Sequence, residues 1–430
     1  MRVDIDPSQG LVGQVQVPGD KSISHRAIML GSIAKGPSRI KNYLRGQDCI
    51  DTAKAFESMG VKIRTDKDEL IVYGRGLRGL VPPKGTIYAG NSGTTARLIA
   101  GILAGQAFET RLDGDSSLRK RPMGRIVGPL LQMGANIRAS QGDLLPLSIG
   151  PSESGTLRGI EYRMPIASAQ VKSAILLAGL YASDITRIHQ SKASRDHTEI
   201  MLRQLGCSIK TSGNTISLEP PDQLYGQDIR IPGDISSAAY LITAALLTPK
   251  SDLLVKDVGI NPTRSGILDV YRQMGANISI YPKSNGQGEP IADILVKSSS
   301  LMATTIEGDL IPRLIDEIPI IALAASQAKG TTVIRDAKEL KVKESNRIDT
   351  VVNMLKALGA DIKATDDGMI IRGPKPLKGA AIQSSMDHRI ALTCAVAGLL
   401  AEGQTSILDG QWVDISYPGF FETLERLRLK

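Results

Sequence analysis

Apolar positions along the chain fall into two kinds of helical segment that alternate from end to end. Segments of the first kind are amphipathic and close on a Met/Leu-Gly turn followed by a strand-like run: Ser58-Met-Gly-Val-Lys-Ile, Gln132-Met-Gly-Ala-Asn-Ile, Gln204-Leu-Gly-Cys-Ser-Ile, Gln273-Met-Gly-Ala-Asn-Ile and Ala357-Leu-Gly-Ala-Asp-Ile. Gly60, Gly134, Gly206, Gly275 and Gly359 stand where a helix-ending left-handed residue belongs, with a β-branched residue soon after to start a strand. They recur at intervals of 69 to 84 residues, about one sixth of the chain, and the terminal Phe420-Phe-Glu-Thr-Leu-Glu-Arg-Leu run sits where a sixth copy would close. Segments of the second kind are apolar and small on nearly every side. They begin near Lys21, Asn91, Ala167, Gly233, Asp316 and Asp387. Helices with no polar face are buried, so six inner helices and six outer ones are expected, each pair joined by short strands into a βαβαββ unit.

A second echo divides the chain. Val17-Pro-Gly-Asp20 returns as Ile231-Pro-Gly-Asp234, nearly half the chain later and just ahead of an equivalent helix. Two Pro-Gly breakers at the same phase read as two crossings between similar lobes. The expected architecture is α/β (α+β), an inside-out α/β barrel in each lobe, with three repeats around buried parallel helices. One lobe spans residues 19–231, and the other spans 1–18 plus 232–430.

Composition narrows what such a chain does. At 430 residues, 42% hydrophobic and 22% charged, it is an ordinary globular protein with room for two cores. The acidic start, Met1-Arg-Val-Asp-Ile-Asp6, has no signal-like apolar stretch, and the longest bland run, Ile390–Ala401, is too short to span a bilayer. No membrane partner is expected. Cys49, Cys207 and Cys394 form no CxxC, which points to a reducing, cytoplasmic setting. The four histidines, His25, His189, His197 and His388, lack metal-ligand spacing, so no metal is expected. The net charge of +8 suits anionic partners, but aromatic residues make up only 3% and the charges are dispersed, which argues against nucleic acid.

Two phosphate-binding patterns fail on context. Gly74-Arg-Gly-Leu-Arg-Gly79 matches GxGxxG but runs into Leu80-Val-Pro-Pro83 instead of a helix. Gly19-Asp-Lys-Ser22 lacks the upstream glycine of a P-loop.

The starts of the inner helices are the better candidates, because helix N-termini present unpaired N–H groups and about half a positive charge. Lys21, Ser22 and Arg26 lie at the first, Asn91, Gly93 and Thr94 at the second, Ser168 and Gln170 at the third. Asp316 opens the fifth and Asp387, His388 and Arg389 the sixth. Ser22, Asn91 and Ser168 also suit N-caps. Basic turns at Arg119-Lys-Arg-Pro122 and Lys341-Val-Lys-Glu-Ser-Asn-Arg347 add cations. Helix starts disfavour cations, so their recurrence there points to anionic ligands in a cleft between the lobes.

Seven motifs in order, Pro18-Gly-Asp-Lys-Ser-Ile-Ser-His-Arg, Gly90-Asn-Ser-Gly-Thr-Thr-Ala-Arg-Leu, Arg119-Lys-Arg-Pro-Met, Ala167-Ser-Ala-Gln-Val-Lys-Ser-Ala, Ile315-Asp-Glu-Ile-Pro, Lys341-Val-Lys-Glu-Ser-Asn-Arg and Asp387-His-Arg-Ile-Ala, make the chain resemble the 5-enolpyruvylshikimate-3-phosphate (EPSP) synthase family, in its class II-like bacterial branch. The resemblance implies transfer of the enolpyruvyl group of phosphoenolpyruvate to the 5-hydroxyl of shikimate 3-phosphate, on the route to chorismate and aromatic amino acids, by a monomer without a cofactor. It implies Lys21, Gly93, Arg121, Arg347 and Arg389 as phosphoenolpyruvate contacts. Lys21, Ser22, Arg26, Ser168, Gln170, Arg195, Asp316 and Lys343 are implied as shikimate 3-phosphate contacts. Asp316 matches the proton acceptor, with Glu344 and Lys21 as partners in proton transfer, and Gly93 matches the position beside which glyphosate, the family's inhibitor, packs. Asn346, Ala169 and Ile415 depart from the residues many members carry, Ile415 replacing a Lys. The related UDP-N-acetylglucosamine enolpyruvyl transferases carry a reactive Cys near the Arg119 motif, and Leu112–Leu130 has none.

Overall fold

The computed structural model describes residues 1–283 and 288–429. The chain forms two compact units, one of Gly19–Ile231 and the other of Met1–Pro18 with nearly all of the chain from Pro232 onward. The chain leaves one unit and re-enters it at a Pro-Gly each time.

In the 19–231 unit the inner helices are Lys21–Ile33, Gly93–Leu103 and Ala169–Gly179. In the other they are Ile235–Leu247, Ile318–Gln327 and His388–Gly398. Nearly every residue of these helices is buried, as their missing polar faces require. Small residues let them approach closely: a Cβ on Gly101 would lie 2.3 Å from the Ala174 carbonyl oxygen of the neighbouring helix. The outer helices Gln47–Ser58, Gly124–Gln132, His197–Gln204, Gly266–Gln273 and Arg347–Ala357 end as their Met/Leu-Gly turns dictate. Gly60, Gly134, Gly206, Gly275 and Gly359 all take φ between +78° and +94°, which a residue with a Cβ resists.

Each complete repeat builds one sheet. In the second, Ile87–Tyr88 runs parallel to Thr110–Asp113, which is followed across the sheet by antiparallel Leu144–Gly150 and Asn136–Ser140. The third repeat and the fifth have the same order. The first strand of the first repeat comes from the far end of its unit, Asp228–Arg230 pairing parallel with Lys35–Lys41. In the other unit the N-terminal strand Gly10–Gln16 pairs parallel with Asp252–Gly259.

Six equal copies are not what the chain builds. The sixth sheet has three strands, Ala381–Ile382, Thr405–Ile407 and, from the chain's start, Val3–Ile5. The last helix, Phe420–Leu427, runs straight into Arg428–Leu429, which pairs antiparallel with the start of Gly10–Gln16. The GxGxxG run is likewise structural: Gly74 lies inside the strand Glu69–Arg75, and Leu77 and Arg78 form a turn after it. No helix among the described residues is long and apolar enough to cross a membrane.

Candidate active site

In the 19–231 unit two of the three inner helices carry caps other than those expected. Asp20, not Ser22, caps the first by accepting from the Ile23 N–H at 2.8 Å, and Ser92, not Asn91, caps the second. Each lies one residue before the helix and has a non-helical backbone, whereas Ser22 is already helical. Ser168 does cap the third, accepting from Val171. Asn91 has another task. Its amide donates to Asp115 at 2.6 Å, and its oxygen accepts from Arg121 Nη2 at 2.6 Å, so the Arg121 guanidinium is aimed by the turn that precedes Gly93. Arg119, from the same basic turn, is instead committed to a two-pronged pair with Asp113.

Lys21 Nζ lies 2.5 Å from Asp48 Oδ2. Arg26 is buried, and its three nitrogens donate to Thr198 Oγ1 at 2.7 Å, the Ser22 carbonyl at 2.9 Å and Ser173 Oγ at 2.8 Å. Gln170 is held from the adjacent helix: Arg97 Nη1 donates to its Oε1 at 2.7 Å, and its amide donates to Thr94 Oγ1 at 3.1 Å. Arg97 Nη2 also donates to the Pro122 carbonyl. Arg195 lies half-buried in the segment between the strand Thr186–His189 and the helix His197–Gln204.

His25, in the same helix as Lys21 and Arg26, is fully buried with Nδ1 2.7 Å from Thr52 Oγ1. Burial, and after it the neighbouring cations against the pull of Asp48, lowers its pKa to about 3. The unfolded imidazole takes up a proton below about pH 6.5 and the folded one does not, so stability falls as pH drops from that value towards 3. Between pH 7 and pH 5 the wild type should lose about 2 kcal/mol more than a His25→Gln variant. Urea unfolding at the two pH values measures this, and equal losses would show that His25 is protonated when folded.

In the other unit, Asp316 lies in the turn before the fifth inner helix, which starts only at Ile318 with Pro319 in its first turn. It therefore does not open the helix as expected. Asp316 Oδ1 is 3.3 Å from Arg347 Nη1 and 3.5 Å from Lys343 Nζ. Arg347, only 1% exposed, also donates to Glu344 Oε2 at 2.5 Å and Asp387 Oδ2 at 2.9 Å. Burial pushes the Arg347 pKa down, but Asp387 and Glu344 more than offset it, so the guanidinium stays charged. Burial would likewise raise the Asp387 carboxyl, yet Arg347 holds it below the usual range. Asp387 also caps the sixth inner helix through the Arg389 N–H.

Arg389 Nη1 donates to the Asp316 carbonyl at 2.9 Å and lies 3.4 Å from Glu317 Oε1. Glu317 is fully buried and takes both its oxygens to Arg264 Nη1, at 2.9 and 2.8 Å. Ile415 is half-buried in the short helix Gly410–Ile415, and Asn346 donates to Asp349.

Each unit thus gathers cations and hydrogen-bonding groups at its inner-helix starts, and the unit holding Asp316 adds a carboxylate flanked by two cations. That set can bind small anions and accept a proton. Sequence reasoning passed over Asp48, Arg97, Arg264 and Glu317. Asp48 reads as an ordinary acid in a helix's first turn. Arg97 carried a usable signal, since the spacing of four from Gly93 places both on one helix face.

The family model for EPSP synthase (3-phosphoshikimate 1-carboxyvinyltransferase) matches residues 5–424. A protein of that activity from Desulforudis audaxviator is 52% identical, with 100% of both chains covered. One from Bacillus cereus is 53% identical over 98% of this chain and 97% of its own. Among solved structures, EPSP synthase from Acinetobacter baumannii superposes with a TM-score of 0.90 at 43% identity, covering 100% of this chain and 98% of that one. The enolpyruvyl transferase NikO from Streptomyces tendae shares the fold, with a TM-score of 0.79 at 18% identity, covering 99% of this chain and 96% of that one.

Proposed function

The chain belongs to the EPSP synthase family, and from that premise we propose that it transfers the enolpyruvyl group of phosphoenolpyruvate to the 5-hydroxyl of shikimate 3-phosphate, releasing phosphate. The observation that carries this reading is the match along the whole chain to relatives of that activity at about half identity. The side chains are chemically suited to it. Each substrate brings a carboxylate and a phosphate, so fixed cations must offset their mutual repulsion. Lys21, Arg121, Arg347 and Arg389, with Gly93, are assigned to phosphoenolpyruvate. Lys21, Ser22, Arg26, Ser168, Gln170, Arg195, Asp316 and Lys343 are assigned to shikimate 3-phosphate. Arg121, aimed by Asn91, is suited to a planar two-point contact, and Lys21 to a compact charge.

As the 5-hydroxyl adds to C2, Asp316 takes its proton, and C3 gains one from an acid drawn from Lys21 and Glu344. Loss of a proton from C3 and of phosphate from C2 then leaves the enol ether. The protein acts as a monomer in the cytoplasm, a setting that suits its three buried cysteines. Purified protein given both substrates should release phosphate at the same rate with and without EDTA. Loss of release on adding EDTA, or none at all, would overturn the cofactor-free reading.

Gly93 offers a second measurement. A Cβ there would lie 2.6 Å from Arg97 Nη1, the nitrogen that holds Gln170, and 3.7 Å from Arg121 Nη1. The added methyl therefore meets a pinned side chain, and the disturbance extends to Gln170. Gly93→Ala should raise the glyphosate inhibition constant roughly tenfold to a hundredfold, as an overpacked contact of about 1 to 3 kcal/mol implies. The KM for phosphoenolpyruvate should rise less, and that for shikimate 3-phosphate a few-fold through Gln170. An unchanged inhibition constant would rule out steric exclusion.

A further inference from the structure

Away from the groups assigned above, the 19–231 unit buries an ion pair in its core. Lys172 Nζ lies 2.6 Å from Glu199 Oε1, with the two side chains 1% and 3% exposed. Lys172 sits in the inner helix that begins beside Ser168 and Gln170, and Glu199 in the outer helix His197–Gln204. A buried Lys–Glu pair contributes little to stability, because the loss of hydration opposes the attraction and two apolar side chains often serve as well. The second Glu199 oxygen is buried with no hydrogen-bond partner among the described residues, which makes the pair a still poorer stabiliser.

What an apolar replacement could not do is hold a backbone. Lys172 Nζ also donates to the Ser194 carbonyl at 3.0 Å. The Ser194 N–H and hydroxyl both donate to Gln190 Oε1, the first at 3.2 Å. Ser194 is thereby fixed from both sides, within the segment that joins the strand Thr186–His189 to the helix His197–Gln204. The next residue is Arg195. Thr198, one residue before Glu199, accepts from Arg26 and bonds with Ser173, so the same stretch borders a second cation.

We propose that Lys172, neutralised by Glu199, is a positioning residue for shikimate 3-phosphate: it locks the Ser194 peptide so that Arg195 meets the substrate's phosphate already in place. The proposal rests on the assignment of Arg195 above. A cation held ready binds more tightly than one that must be ordered on binding.

The test uses Lys172→Met/Glu199→Gln, which removes both charges and strands neither, in the wild-type and Arg195→Ala backgrounds, with both KM values and kcat read from phosphate release. The double variant should raise the KM for shikimate 3-phosphate about tenfold while leaving kcat and the phosphoenolpyruvate KM within about twofold. In the Arg195→Ala background the same change should add less than about twofold, since the group it positions is gone. An unchanged KM, or the same tenfold rise without Arg195, overturns the proposal, the second outcome being what a merely structural pair would produce. If circular dichroism shows that the double variant does not fold, Ser194→Ala loosens the same segment without touching the charges. A rise of about threefold that vanishes with Arg195→Ala then supports the proposal, and no rise overturns it. A wild type without turnover would instead count against the function itself, and Arg195→Ala with an unchanged KM against the assignment of Arg195 and this proposal together.

Discussion

Asp316→Asn should lower turnover by about 10² to 10⁴-fold, the usual range for a general base, while shikimate 3-phosphate still binds within a few-fold of the wild-type affinity. The substitution keeps size and hydrogen-bonding shape and removes the charge. Little else should move, because Arg347 keeps its bonds to Glu344 and Asp387 and Arg389 keeps the backbone carbonyl of residue 316, which the change does not touch. Lys343 Nζ and Arg347 Nη1 lie 3.5 Å and 3.3 Å from Asp316 Oδ1 and hold the carboxylate in place. Asn in the same place can accept a hydrogen bond from the hydroxyl but not its proton. Calorimetric titration with shikimate 3-phosphate, beside phosphate release at saturating substrates, separates binding from chemistry. Near-normal turnover would place the base elsewhere, and loss of binding equal to the loss of turnover would make Asp316 chiefly a substrate ligand.

The helical framework was legible because its signals are local. A Met/Leu-Gly turn ends a helix whatever surrounds it, and all five such glycines take the left-handed conformation. A helix lacking a polar face can only be buried, and the six inner helices are. The sixth sheet was not legible, because its third strand, Val3–Ile5, is set by pairing with Thr405–Ile407 across nearly the whole chain, and no local pattern reports such a partner. The caps illustrate the same limit at the scale of one residue. Asp20 and Ser22, or Asn91 and Ser92, are equally good capping types, and only the backbone geometry decides between neighbours. Motif resemblance could name Lys21, Gln170 and Arg347 as candidates. It could not say that Asp48 faces Lys21, that Arg97 holds Gln170, or that Glu317 is shared by Arg264 and Arg389, because ion pairs and networks are made by tertiary packing.

Arg347 shows how a residue assigned to a ligand can also hold the fold. It is 1% exposed and faces Asp387, itself wholly buried, as well as Glu344 and Asp316. Arg347→Met would leave Asp387 charged in the interior without its cation, and breaking a buried pair from one side typically costs about 3 to 5 kcal/mol. The variant should therefore lose stability by that order as well as affinity for phosphoenolpyruvate. The sign of its pH dependence identifies the cause. In the wild type Arg347 holds the Asp387 pKa below the unfolded value, so that contribution is present above about pH 4 and fades as pH falls through the lowered pKa. In the variant burial acts without the cation and raises the Asp387 pKa above the unfolded value. Its folded form then binds a proton that the unfolded chain releases, so stability is regained as pH falls from neutrality towards about 4. The gap between wild type and variant should accordingly narrow over that interval. Urea unfolding at pH 7 and pH 5 measures it. A gap that stays constant would mean that lost packing, not the stranded carboxylate, is what destabilises the variant. An Arg347→Met/Asp387→Asn protein as unstable as Arg347→Met alone would point to lost packing in the same way, since removing the carboxylate's charge would then have relieved nothing.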